Sequence, residues 1–321
     1  MPSKAQRDCP FCAGSAATTF GMREGANFIR CLNCQAVYMD ISELEYDSLH
    51  EGNFEDSTFI SDITAMSGTE PNRRAWNEFS ALLNSGSVLE IGPGTGHVLA
   101  AARDSGRKVA GVEASAAHRA FIKASWGIEH IFGSLGELPP GTLYDNVIMV
   151  NVVEHVYDVK GLLKELRSHL SPEARVFIST VNAQGIVGKI AGTYWAMFKE
   201  RDHVSFPSLS SLRHLAALAD YRLDRSWSSE LPFETPIGCV VAARDYLRDR
   251  RKAGRGQSAS RFQTAAGAGI SNDTNRARKK RLLSAFYRLA ENVDPTRHAI
   301  GALHRAATVK GILIPGESTS A

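Results

Sequence analysis

The stretch Ser87-Val-Leu-Glu-Ile-Gly-Pro-Gly-Thr-Gly-His-Val-Leu, residues 87–99, joins an apolar run to a glycine-rich turn. A helical pattern over Val98 to Arg103 follows at once. A strand that ends in such a turn delivers it to a sheet edge, where glycines let the backbone approach a ligand that any side chain would strike. The spacing Gly-x-Gly-x-Gly, with Glu90 ahead of it, departs from the dinucleotide fingerprint. The absence of Gly-Lys-Ser/Thr after it excludes a phosphate-binding P-loop. Downstream, Lys108-Val-Ala-Gly-Val reads as a second strand ending at Glu113. A carboxylate there can accept both ribose hydroxyls of an adenosine.

Val88–Gly96 with Glu113 resembles the class I S-adenosylmethionine-dependent methyltransferases, and later segments keep that family's order. Gly133-Ser-Leu-Gly-Glu-Leu-Pro comes first, then Tyr144-Asp-Asn-Val-Ile-Met-Val-Asn-Val-Val-Glu-His-Val. Ala174-Arg-Val-Phe-Ile-Ser-Thr and His203-Val-Ser-Phe-Pro-Ser-Leu-Ser-Ser-Leu follow. The resemblance covers about residues 70–230. It implies an α/β fold: a Rossmann-like seven-stranded sheet with helices on both faces. It implies S-adenosylmethionine as cofactor, with Glu90, Gly92, Gly94 and Gly96 around the methionine part. Glu113 would hold the ribose, Gly133, Ser134 and Leu135 would lie near the adenine, and Asn151 would lie near the sulfonium.

Methyl transfer from an activated sulfonium asks the protein for alignment and, where the acceptor needs it, a base. Glu154 and His155 follow the fourth strand, at the carboxyl edge where ligands bind in open α/β sheets. His155 is the first candidate base, since a neutral imidazole accepts a hydroxyl proton near pH 7. In the coenzyme Q O-methyltransferases this stretch resembles Glu-x-x-Glu-His and helps hold a divalent metal; here Asn151 stands in place of the first acid. The alternative is a helix-capping Glu154 with His155 packed beside it. His203 is the second candidate, behind an insertion spanning Asn182 to Arg201 that carries Tyr194, Trp195 and Phe198. Those aromatics either stack on a planar or sugar acceptor or form a helix face packed on the sheet.

Upstream, Cys9/Cys12 and Cys31/Cys34 form two Cys-x-x-Cys pairs with 18 residues between them. That spacing fits a four-thiolate structural zinc site. Pro10 and Asn33 favour the tight turns, and Phe20, Phe28, Ile29 and Val37 suit short flanking strands, so residues 1–45 read as a zinc ribbon too small to fold without its metal. The N-terminus has no apolar leader, which disfavours disulfides and gives the cytoplasm as the expected compartment. Cys239 lies in an apolar run and reads as a small buried hydrophobe.

The chain has 321 residues, 43% hydrophobic and 22% charged, a composition able to bury a core. No apolar run is long enough to span a bilayer. The net charge of +3 is unevenly spread. Between Arg244 and Arg281 twelve Lys/Arg face three acids. The expected layout is a ribbon (1–45), a linker (46–73), a methyltransferase core (74–252), a flexible basic linker (253–275) and a C-terminal helical segment (276–321). The last strand of the core is either 239–243 or 309–314; Thr235-Pro236 as a helix start favours the second.

The ribbon-plus-core layout resembles bacterial enzymes of cell-surface sugar and natural-product pathways. Deoxysugar C-methyltransferases share it, with cysteine pairs further apart and a longer C-terminal half. The expected partner is a small-molecule acceptor, with O-methylation favoured by the likeness to the coenzyme Q enzymes. The basic tail allows peripheral contact with an anionic membrane, or a homo-oligomer. A rival reading makes ribbon and tail a nucleic-acid grip, but residues 13–30 offer only Arg23, Arg30, Phe20 and Phe28 for phosphate and base contacts.

Overall fold

A computed structural model describes residues 7–50, 76, 77, 79–229, 242–250 and 308–316. Strands β1 (Ala17–Arg23), β2 (Ala26–Cys31) and β3 (Val37–Met39) form an antiparallel meander, followed by helix α1 (Glu43–His50). The chain then alternates: β4 (Val88–Ile91), α2 (His97–Asp104), β5 (Val109–Val112), α3 (Ala116–Trp126), β6 (Ile131–Phe132). Next come β7 (Tyr144–Val150), α4 (Val159–Leu166) and β8 (Leu170–Val181). After β8 lie α5 (Ile186–Ala191), a two-residue strand β9 (Ser205–Phe206), α6 (Leu209–Leu218), β10 (Tyr221–Ser229) and β11 (Thr308–Pro315).

Seven of these strands form one sheet in the order β10-β11-β8-β7-β4-β5-β6. β4 runs parallel to both β5 and β7, and β11 runs antiparallel between β10 and β8. Strand alternation divides the apolar side chains between two faces. Leu89, Val147 and Ile178 pack with Leu163 and Leu166 of α4 and Leu215 of α6. Val88, Ile148 and Phe177 pack on the other face with Ala102 of α2 and with Trp76 and Phe79. Both faces are covered, which is why β4 is buried along its whole length. Among the described residues, Thr308–Pro315 is the last strand of the sheet in chain order. Residues 242–250 are helical, and 230–241 lie outside the described residues, Cys239 among them. So do the basic linker and the segment from Arg276 to Leu289.

The ribbon is not a free-standing unit. β9, just after the insertion that follows β8, pairs with β3 through Val37 with Phe206 and Tyr38 with Ser205, completing a four-stranded sheet. Phe28, Val37 and Met39 share a core with Trp195, Phe198 and Phe206. Phe198 stacks on Phe206 with centroids 4.2 Å apart and meets Phe28 edge-on at 4.9 Å. Trp195 and Phe198 are thus core residues between ribbon and insertion, and neither is available to stack on an acceptor. Tyr194 is half-buried beneath the Arg23 guanidinium.

Polar contacts secure the same seam. Arg7 donates to the carbonyls of Met39 (3.1 Å), Tyr157 (3.2 Å) and Val204 (2.8 Å), three segments far apart in sequence. The Ser208 and Ser210 hydroxyls both donate to the Cys34 carbonyl. Helix 242–250 joins through Asp249, which pairs with Arg23 at 2.6 Å, and through Asp245, which pairs with Lys199.

Candidate active site

The chain steps outward from β4 to β5 and β6, then returns to β7 on the other side of β4. This reversal opens a crevice at the carboxyl ends of β4 and β7, the usual ligand position in such sheets. Gly92, Gly94 and Gly96 line its floor with φ of +66°, +55° and +75°. The Glu113 carboxylate reaches this loop, accepting from the Gly94 amide through Oε2 and the Ser115 amide through Oε1, both at 2.9 Å. Each oxygen keeps capacity for a further donor such as a ribose hydroxyl. Glu90 is buried, and its Oε2 finds no hydrogen-bond partner among the described residues. Burial first, and then the charge of Glu113, push its carboxyl up to about 8.

Gly133, Ser134 and Leu135 follow β6 at the same edge. The Gly133 amide and the Ser134 hydroxyl both donate to the Glu137 carboxylate, at 2.8 and 3.4 Å. Glu137 was not singled out from the sequence, although Ser-x-x-Glu is a turn-closing spacing that marks it. Asn151 ends β7 exposed, with φ of +55° and its amide bonded to the Ser179 carbonyl. An unmatched buried carboxyl oxygen suits an ammonium, a carboxylate at the adjacent strand end suits a ribose, and the space over Gly94 is open. These residues fit S-adenosylmethionine.

A second group lies beside the first. Glu154 and His155 sit on the short turn after β7, and the insertion brings His203 to them. Glu154 is buried, accepts from the Thr180 hydroxyl at 2.7 Å, and is shifted upward by burial. Its backbone carbonyl takes the Val204 amide at 2.7 Å, fixing the segment that carries His203. The rings of His155 and His203 meet edge-on with centroids 4.7 Å apart. His155 Nδ1 lies 3.2 Å from Asp202 Oδ2. Burial lowers the His155 imidazole, but Asp202 and Glu154 outweigh it and the net shift is upward. Asp202 is opposed by its own burial yet falls to about 2 because His155 and His203 face it.

The donor atoms of Glu154, His155 and His203 lie within 4.8 Å of one another. They do not reproduce the two-carboxylate stretch of the coenzyme Q enzymes. Position 151 offers an exposed amide, and Thr180 engages an oxygen of Glu154 in the core.

The four cysteines of the ribbon converge. Cys9 and Cys34 Sγ are 3.5 Å apart, Cys12 and Cys31 Sγ 3.4 Å, and all four donors fall within 4.8 Å. A tetrahedral zinc with bonds of about 2.3 Å places its sulfurs about 3.8 Å apart, so the four residues fit that ion. A separate cavity of about 400 Å³ opens beyond the carboxyl ends of β8 and β10. It is lined by Asn182, Gln184, Lys189, Ser208, Ser210 and Ser228, and by Gln35 from the ribbon.

A family model described as a methyltransferase domain matches residues 67–226. The sheet order, the glycine turn and the two strand-end carboxylates agree with it: this is the domain of a class I S-adenosylmethionine-dependent methyltransferase. Among curated relatives, the ubiquinone biosynthesis O-methyltransferase of Rickettsia conorii is 24% identical over 57% of this chain and 69% of its own length. The protein of the same name from a Bradyrhizobium species is 31% identical over 42% of this chain and 53% of its own length. The chain thus spans about half of that second relative. A solved S-adenosylmethionine-dependent methyltransferase from Archaeoglobus fulgidus aligns over 81% of this chain and all of its own, with 14% identity and a TM-score of 0.47.

Proposed function

We propose that this chain O-methylates a polar small molecule, of the kind found in cell-surface sugar or natural-product pathways, with His155 as the base. The observation that carries the reading is the convergence of Glu154, His155 and His203 at the carboxyl edge between β7 and β8, beside the cofactor crevice. Bound S-adenosylmethionine supplies an electrophilic methyl group. The loop at Gly94, the Glu90 carboxyl and the Glu113 carboxylate hold and orient it, and Asn151 faces its reacting end. His155 takes the proton of the acceptor hydroxyl, and His203 and Glu154 wall the site around it. The likeness to ubiquinone O-methyltransferases supports oxygen as the atom methylated. A structural zinc on Cys9, Cys12, Cys31 and Cys34 completes the proposal.

Calorimetry with S-adenosylhomocysteine on wild type and Glu113→Ala tests the cofactor part. Binding should be micromolar and weaken at least tenfold in the variant; no binding by folded wild type would end the proposal. Transfer of a labelled methyl group to a panel of hydroxylated sugars and phenols tests the rest. His155→Ala should lower that transfer roughly a hundredfold with cofactor affinity kept.

A further inference from the structure

The geometry points to Asp202 as the positioning residue for His155: its carboxylate holds the Nδ1 proton, so that Nε2 presents the lone pair to the acceptor. This rests on His155 being the base. The placement of Asp202 is set by backbone. Two residues after it, Val204 donates its amide to the Glu154 carbonyl and accepts on its own carbonyl from the Met39 amide and from Arg7. On the other side, the His155 amide bonds to Val152 and its carbonyl accepts from the Tyr46 hydroxyl at 2.9 Å. Two segments 47 residues apart are thereby pinned within hydrogen-bond reach of each other.

Among the described residues, four titratable groups face His155. Glu154 shares its turn, Asp202 and His203 directly follow the insertion, and Tyr46 of α1 reaches its backbone carbonyl. Glu154 is engaged with Thr180, and the His203 ring lies edge-on with its Nδ1 at the Met197 carbonyl. Among the described residues, Asp202 is the carboxylate in contact with the His155 ring. An ionised carboxylate only accepts, so the neutral ring must carry its proton on Nδ1. About a third of each side chain is exposed, so the pair is not sealed in the core.

The step balances. The acceptor oxygen forms its bond to the methyl carbon as the carbon–sulfur electron pair returns to sulfur, and the hydroxyl proton passes to His155 Nε2. The positive charge lost from the sulfonium reappears on the imidazolium, directly against the Asp202 carboxylate. No other reactant is needed.

Long-range proton–nitrogen spectra of ¹⁵N-labelled protein test this without an acceptor, with His155→Ala assigning the resonance. In wild type, neutral His155 should be the Nδ1–H tautomer. In Asp202→Asn its titration should move to lower pH, and in Asp202→Ala the Nδ1–H preference should be lost. Calorimetry with S-adenosylhomocysteine should give unchanged affinity in both variants, showing that the fold is kept. An Nε2–H tautomer in wild type, or an unmoved titration in Asp202→Asn, would overturn the assignment. If instead the spectra behave as expected while His155→Ala transfers methyl groups at the wild-type rate, the pairing stands and the reading of His155 as base fails.

Discussion

Gly94 and Gly96 sit two residues apart in one loop, both in the left-handed region at φ +55° and +75°. Alanine at either position carries the backbone cost of that region, about 1 kcal/mol. Their surroundings differ. A Cβ at Gly96 would stand 2.8 Å from Ile122 Cγ1 and 3.3 Å from Trp126 Cδ1, with Ile122 wholly buried. A Cβ at Gly94 would meet nothing within 4 Å. Overpacking a core contact adds about 1–3 kcal/mol. Gly94→Ala should therefore lower the Tm by only about 2–4 °C, and Gly96→Ala by about two to four times as much. Binding should rank the two variants the other way relative to their stability. The open space over Gly94 is where the cofactor would lie, so Gly94→Ala should lose at least tenfold in S-adenosylhomocysteine affinity, about 1.4 kcal/mol, while remaining folded. Differential scanning fluorimetry and calorimetry on the same samples measure both. Wild-type affinity in Gly94→Ala would refute the cradle, and equal destabilisation by the two alanines would refute the packing argument.

Glu90 stays protonated in the folded chain up to about pH 8, against an ordinary value of 4.5. The unfolded chain ionises first, so the fold carries a cost that grows as pH rises between those values and levels off above them. Glu90→Gln should therefore stabilise the protein more at pH 8 than at pH 5 in urea unfolding; an equal gain at both would count against the buried, unmatched carboxyl. Metal analysis should find about one zinc per chain, and Cys31→Ser should lose both the metal and most of the soluble yield. A fully folded, metal-free wild type would exclude a structural zinc. Arg7→Met removes three bonds to carbonyls and should cost about 2 kcal/mol or more in equilibrium unfolding. A loss below about 0.5 kcal/mol would show that the seam does not depend on it.

The parts of the molecule legible in the sequence are those written locally. Val88–Ile91 and the glycines after it form one continuous strand–turn–helix pattern, and Glu113 ends the very next strand, so the crevice could be read in order. The cysteine pairs were legible for the same reason, because spacing within each turn fixes where the thiolates point. What stayed hidden depends on contacts between distant segments. Ser205–Phe206 is too short to show any period, and its partner lies about 170 residues upstream. Trp195 and Phe198 gave a true signal of burial, but nothing in their spacing said that the surface they cover belongs to the ribbon. Asp202 carries no motif; its meaning comes only from standing opposite His155. Glu154 and His203 show a third case, in which residue type nominated the right neighbours while the backbone bond that joins them, from Val204 to Glu154, left no trace in composition.

The pairing of β3 with β9 has a consequence for the history of this chain. Cutting the gene near residue 45 would not separate two modules, because the cut falls between strands of one sheet. Residues 7–41 alone would expose the unpaired edge of β3, and the remainder would carry Ser205 and Phe206 with no strand to meet. Either fragment would present bare backbone donors and acceptors to its neighbours, an invitation to aggregate. Ribbon and β9 therefore share one sheet edge, and loss of either leaves the other's edge bare.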